Sequence, residues 1–125
     1  MVEYELLRDE GLLIIRPQDS LEASDFQRIA SEIDPFISAN GKLHGMLIDA
    51  PRFPGWKDFA ALVAHLRFVR DHHRKIEKIA AVSDSEFLAI APRIASHFVQ
   101  AKIAHFSHSQ RDEALAWLRG GRKPA

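Results

Sequence analysis

Short apolar runs separated by segments of helical spacing constrain this chain more than any other feature in it. Leu12-Leu13-Ile14-Ile15, Met46-Leu47-Ile48 and Ile79-Ala80-Ala81-Val82 read as strands, the second with both faces covered and the third as the buried end of a strand from Ile76. Between and after them apolar residues recur at i, i+3, i+4 and i+7, which marks one face of a helix. Phe26, Ile29, Ala30, Ile33 and Ile37 form the first such face, and Phe59, Leu62, Val63, Leu66 and Val69 the second. Phe87, Leu88, Ala91, Ile94, Ala95 and Phe98 form the third. Strands and helices that alternate with short links imply right-handed crossovers and a mostly parallel sheet.

The ends of the chain complete the pattern. Residues 2–8 alternate loosely before the turn signal Asp9-Glu10-Gly11, so the chain opens on a β-hairpin. Residues 101–106 supply a last strand, and Ala114, Leu115, Trp117 and Leu118 the inner face of a last helix ended by Gly120-Gly121. The predicted order is ββαβαβαβα: one α/β domain over residues 1–120, a mixed sheet of four or five strands, about four flanking helices, and a frayed tail at 121–125. Ser24 and Gln27 have capping-box spacing, with Ser20 or Glu22 as earlier starts for the first helix. Pro35 is expected to bend that helix or split off its last turn, and Pro92 to kink the third, which Ser83-Asp84 begins. Ser109-Gln110-Arg111-Asp112 opens the last helix.

Composition narrows the function. Lys plus Arg and Asp plus Glu are 17 each, so no net field draws in nucleic acid, and none is expected as a partner. Without cysteine there is neither a disulfide framework nor a thiolate nucleophile. The acidic start Met1-Val2-Glu3-Tyr4-Glu5 lacks the basic residues and apolar run of a signal peptide, and no run approaches the roughly 20 residues that span a bilayer. A soluble cytoplasmic location is the expectation. Seven histidines raise the question of metal, but His65 lies about two helix turns from His72 and His73, too far for the rings to share one ion, and neither that group nor His105 and His108 has an obvious carboxylate companion. No metal and no cofactor are expected. No nucleophile elbow, phosphate loop or dinucleotide fingerprint appears, so no enzyme is expected either.

In an open α/β sheet ligands meet the carboxyl ends of strands, which directs attention to Asp49-Ala50-Pro51-Arg52-Phe53-Pro54-Gly55-Trp56 and the helix after it. Phe53 and Trp56 act either as lids over the core or as the wall of a cleft or membrane-facing edge. Pro54 stiffens the loop and Gly55 is a conceivable hinge. Asp49 is the best single acid/base group, but an aspartate there more commonly shapes the loop by accepting hydrogen bonds from the amides that follow. Phe59 and Val63 belong to the expected inner face of the helix. Arg67 and Arg70 belong to a run of cations toward its C-terminus, which either complements the dipole or meets an anionic surface.

The string Phe53-Pro54-Gly55-Trp56 before a helix, Ile79-Ala80-Ala81-Val82-Ser83-Asp84 as a strand running toward a helix, Val99-Gln100-Ala101-Lys102-Ile103-Ala104-His105-Phe106, and Glu113-Ala114-Leu115-Ala116-Trp117-Leu118 together resemble the SpoIIAA-like family, a branch of the STAS-type fold. The resemblance runs from about Leu12 to Gly120. It implies a small sheet flanked by helices, no established enzymatic activity, and association with a ligand, partner or membrane. In the anti-sigma factor antagonists of this fold, a Ser or Thr at the helix start after the central strand is phosphorylated. This chain has no Ser, Thr or Tyr from Ala39 through Val82 and no threonine at all, so that switch is absent. The expectation is a non-enzymatic binding module that takes an apolar small molecule or lipid, or meets a membrane at the inner surface, through residues 53–73. The alternative is a protein-interaction module, a homodimer included, that uses the same helix.

Overall fold

The computed structural model describes residues 2–120; the tail at 121–125 lies outside the described residues. Val2–Leu7 (β1) and Leu12–Pro17 (β2) form the expected antiparallel hairpin. Gly11 makes its turn at φ 66°, a backbone conformation that favours glycine, and donates its amide to the Leu7 carbonyl at 2.8 Å. Ala23–Asn40 (α1), Leu43–Asp49 (β3), Phe59–His72 (α2), Ile76–Val82 (β4), Glu86–Ala95 (α3), Lys102–Phe106 (β5) and Arg111–Leu118 (α4) follow in the predicted order. The five strands form one sheet in the order β1-β2-β3-β4-β5, parallel throughout except for the hairpin.

Strand alternation decides which helix goes where. Leu13, Ile15, Met46 and Ile76 turn to one face and pack on Phe26, Ile29, Ile33, Phe36 and Ile37 of α1. Leu12, Ile14, Leu47, Ala80, Val82, Ala104 and Phe106 turn to the other and pack on Ala114, Trp117 and Leu118 of α4. With strands in sequence order, crossovers of one hand put α1, α2 and α3 on the same face, and α4 covers the opposite one. Gly45 permits that second contact, since a Cβ there would fall 2.8 Å from Leu12 Cδ2 and 2.9 Å from Leu118 Cδ2.

Several local expectations change. Helix α1 runs unbroken through Pro35 to Asn40, because the buried Phe36 and Ile37 hold the last turn on the sheet. Its start is one of the earlier positions, Glu22, which forms a capping box with Asp25, and not the pair Ser24 and Gln27. Burial pushes the Asp25 carboxyl up, but the hydrogen bonds from the Glu22 amide and Arg28 outweigh it and leave the pKa lowered. Helix α3 starts at Glu86 with Ser85 as its cap, and Ser107 and Gln110 form the capping box of a 3-10 turn, His108–Gln110, before α4.

The inner faces of α2 and α3 are the larger corrections. Phe59 and Leu66 are exposed, and α2 turns Ala61, Ala64, His65, Phe68 and His72 inward, where the small alanines allow a close approach to α1. Phe87, Ile94 and Phe98 of the expected inner face of α3 are exposed as well; Leu88, Ala91, Pro92 and Ala95 face the sheet side.

Candidate functional site

The loop after β3 is held at both ends. Gly55, at φ 77°, accepts from the Leu21 amide at 2.8 Å, and the Leu21 carbonyl accepts from the Lys57 amide at 2.9 Å, a parallel bridge that sets Trp56 beside Leu21. Lys57 Nζ reaches Glu22 Oε1 at 2.7 Å. Gly55 therefore shapes the loop, and the bonds of its carbonyl and of the Lys57 amide hold the turn against Leu21. Asp58 then caps α2 by accepting from the Ala61 amide at 2.9 Å.

Aromatic rings gather where loop, α2 and α3 meet. Phe53 stacks on Phe87 of α3 at 4.5 Å and meets Trp56 edge-on at 5.0 Å. Trp56 donates its indole N–H to Nδ1 of His65 at 3.1 Å, and His65 stacks on Phe26 of α1 at 4.9 Å. Burial holds the pKa of His65 below its ordinary value.

Beneath these rings lies a cavity of about 240 Å³ between the sheet, α2 and α3. Ile48, Ile79, Ala81 and Ile103 form its floor, Phe68 and Val69 of α2 one wall, Leu88 and Ala91 of α3 the other, and Phe53 and Pro54 its loop end. Its lining carries no Asp, Glu, Lys or Arg; the side chains with polar atoms are His65, His72 and His73. His72 is used at both nitrogens, Nδ1 with the Phe68 carbonyl at 2.8 Å and Nε2 with Asp34 Oδ1 at 2.7 Å, which ties α2 to α1. Nδ1 of His73 accepts from the Gln100 amide at 3.0 Å.

The residues expected at the site divide. Phe53 and Pro54 line the cavity, whereas Trp56 is a half-buried lid packed against the α1 side of the core. Val63 is half-buried and outside the lining. Phe59 is 78% exposed, and Arg67 and Arg70 face solvent, with Arg70 paired to Asp71 at 2.9 Å. Asp49 points to the opposite face of the sheet, because it alternates with Ile48. Its carboxylate accepts from Arg111 Nε of α4 at 3.1 Å and lies 3.8 Å from Arg16 and from His108, in place of the loop amides expected as partners. His65 lies inside although it falls off the apolar stripe Phe59, Leu62, Val63, Leu66 and Val69. Its signal is the row Ala61, His65, Phe68, His72, which has the same spacing as the inner face of α1 but is apolar only in part.

Phe59 and Leu66 of α2, with Phe87, Ile90, Ile94 and Phe98 in and after α3, form an outward apolar crest. Among the described residues no three metal-ligating side chains converge, and no helix is long and apolar enough to cross a membrane.

A family model for SpoIIAA-like proteins matches residues 12–119. The chain belongs to the SpoIIAA-like family. A crystal structure of an uncharacterised Shewanella loihica protein with a SpoIIAA-like fold superposes with a TM-score of 0.69. That alignment covers 94% of this chain and 92% of the other at 18% identity, so it speaks for the fold alone. No curated protein matches the chain.

Proposed function

We propose that this SpoIIAA-like protein is a non-enzymatic binding module that takes an apolar small molecule into the cavity between the sheet and helices α2 and α3. The observation that carries the reading is the cavity itself, about 240 Å³ walled mainly by aliphatic and aromatic side chains, with no Asp, Glu, Lys or Arg in its lining. An apolar cavity of about 150 Å³ holds a benzene ring, so a ligand of about ten non-hydrogen atoms suits this one. The site has no nucleophile, and its best acid/base candidate, Asp49, lies on the other side of the sheet. Native mass spectrometry of freshly purified protein tests the reading: a small apolar molecule released from the protein supports it. Protein that carries none, and that takes up none of a panel of apolar compounds, contradicts it.

The crest favours a second reading. Six large apolar side chains face solvent, with the exposed Arg67 and Arg93 next to Leu66 and Ile94 in the chain, a combination suited to peripheral contact with an anionic membrane surface. Flotation with anionic but not neutral vesicles is the expected result. Equal flotation with both, or none, goes against it, and oligomers in the same native spectra would assign the crest to protein contact.

A further inference from the structure

Resting on the cavity reading above, we propose that His65 determines specificity in the cavity, its Nε2–H donating to a neutral carbonyl-type oxygen on an otherwise apolar ligand. The argument starts from Trp56, whose indole nitrogen can only donate. At 3.1 Å from that nitrogen, Nδ1 of His65 has to be an unprotonated acceptor, so the ring is neutral and its proton sits on Nε2. Nε2 makes no hydrogen bond among the described residues, yet the ring belongs to the lining of the cavity. The stack on Phe26 at 4.9 Å and the bond to Trp56 fix the ring from two sides, so the donor is oriented before any ligand arrives.

The other polar groups of the wall do not offer the same donor at this end. His72 has both nitrogens engaged, and His73 lies eight residues on, about 12 Å along the helix. A neutral partner is favoured over a carboxylate because the lining has no Lys or Arg to replace the hydration an anion would lose, and His72 is already paired with Asp34. The depressed pKa of His65 agrees, since it keeps the ring an uncharged donor near neutral pH. A hydrocarbon of the same shape fills the cavity but leaves Nε2–H without a partner, which costs it affinity relative to the oxygen-bearing ligand.

Acetophenone and α-methylstyrene make the test, as they share a shape and differ by an oxygen in place of a methylene. Both are titrated into the wild-type protein, His65→Phe and His65→Gln, with NMR following the cavity residues and the His65 ring nitrogens. In the wild-type protein acetophenone should move the Nε2 resonance and α-methylstyrene should not. The affinity ratio of acetophenone to α-methylstyrene should fall about tenfold in His65→Phe, which keeps a ring against Phe26. His65→Gln, which can accept from Trp56 and still donate, should recover most of that ratio. An unchanged ratio in a folded His65→Phe, with a still Nε2 signal, overturns the role of His65 and leaves the cavity reading intact. Failure of both compounds to move any cavity residue overturns both.

Discussion

The indole N–H of Trp56 donates to Nδ1 of His65 at 3.1 Å, and this bond ties the loop after β3 to the inner face of α2. Trp56→Phe keeps the ring but deletes the donor, leaving a partly buried nitrogen without its partner. The expected loss is about 1–3 kcal/mol in urea unfolding. The 15N shifts of His65 should also change from one tautomer to a mixture, which a purely packing role for Trp56 would not produce.

The same histidine makes stability depend on pH. Burial lowers its folded-state pKa below the ordinary 6.5, so between those two values the unfolded chain binds the proton and the native protein does not. The contribution is fully present above the unfolded value and is lost as pH falls through 6.5 toward the folded one. Urea midpoints at about pH 8 and about pH 5 should therefore separate more for the wild-type protein than for His65→Phe. Equal separations would mean that His65 titrates alike in both states.

Asp49 serves the other face of the sheet, where it holds Arg111 at 3.1 Å and so fixes the start of α4 against β3. Asp49→Asn should cost about 1–2 kcal/mol of stability and leave the affinity for α-methylstyrene unchanged. A large loss of binding in a folded Asp49→Asn protein would couple the two faces in a way this structure gives no route for.

The order of elements was legible because strand and helix periods differ and each apolar run is bounded by a turn signal. The hairpin at Gly11 and the strand from Ile76 to Val82 follow from those signals alone. The site was legible only as a region. Phe53 and Trp56 mark the loop, but the inward face of the helix after it does not follow from hydrophobicity, because Phe59 and Leu66 face out while two alanines and two histidines face in. Residue hydrophobicity ranks Leu66 above His65 for burial; the stack on Phe26 and the bond from Trp56 reverse that order. Pro35 leaves α1 unbroken for a related reason, since local propensity yields where Phe36 and Ile37 are anchored in the core. The hydrogen-bond partner of Asp49, Arg111, comes from α4, 62 residues away in the chain, which no local pattern announces.

The most direct test of the cavity as a binding site is a titration of methyl-labelled protein with α-methylstyrene, read by NMR. The methyls of Ile48, Ile79 and Ile103 on the cavity floor should shift together and saturate, and Ala91→Phe, which fills the space from α3, should abolish the shifts while the fold is kept. Shifts confined to Ile90 and Ile94 on the outer crest, or no shift at any concentration reached, would contradict the assignment of this cavity as the site of function.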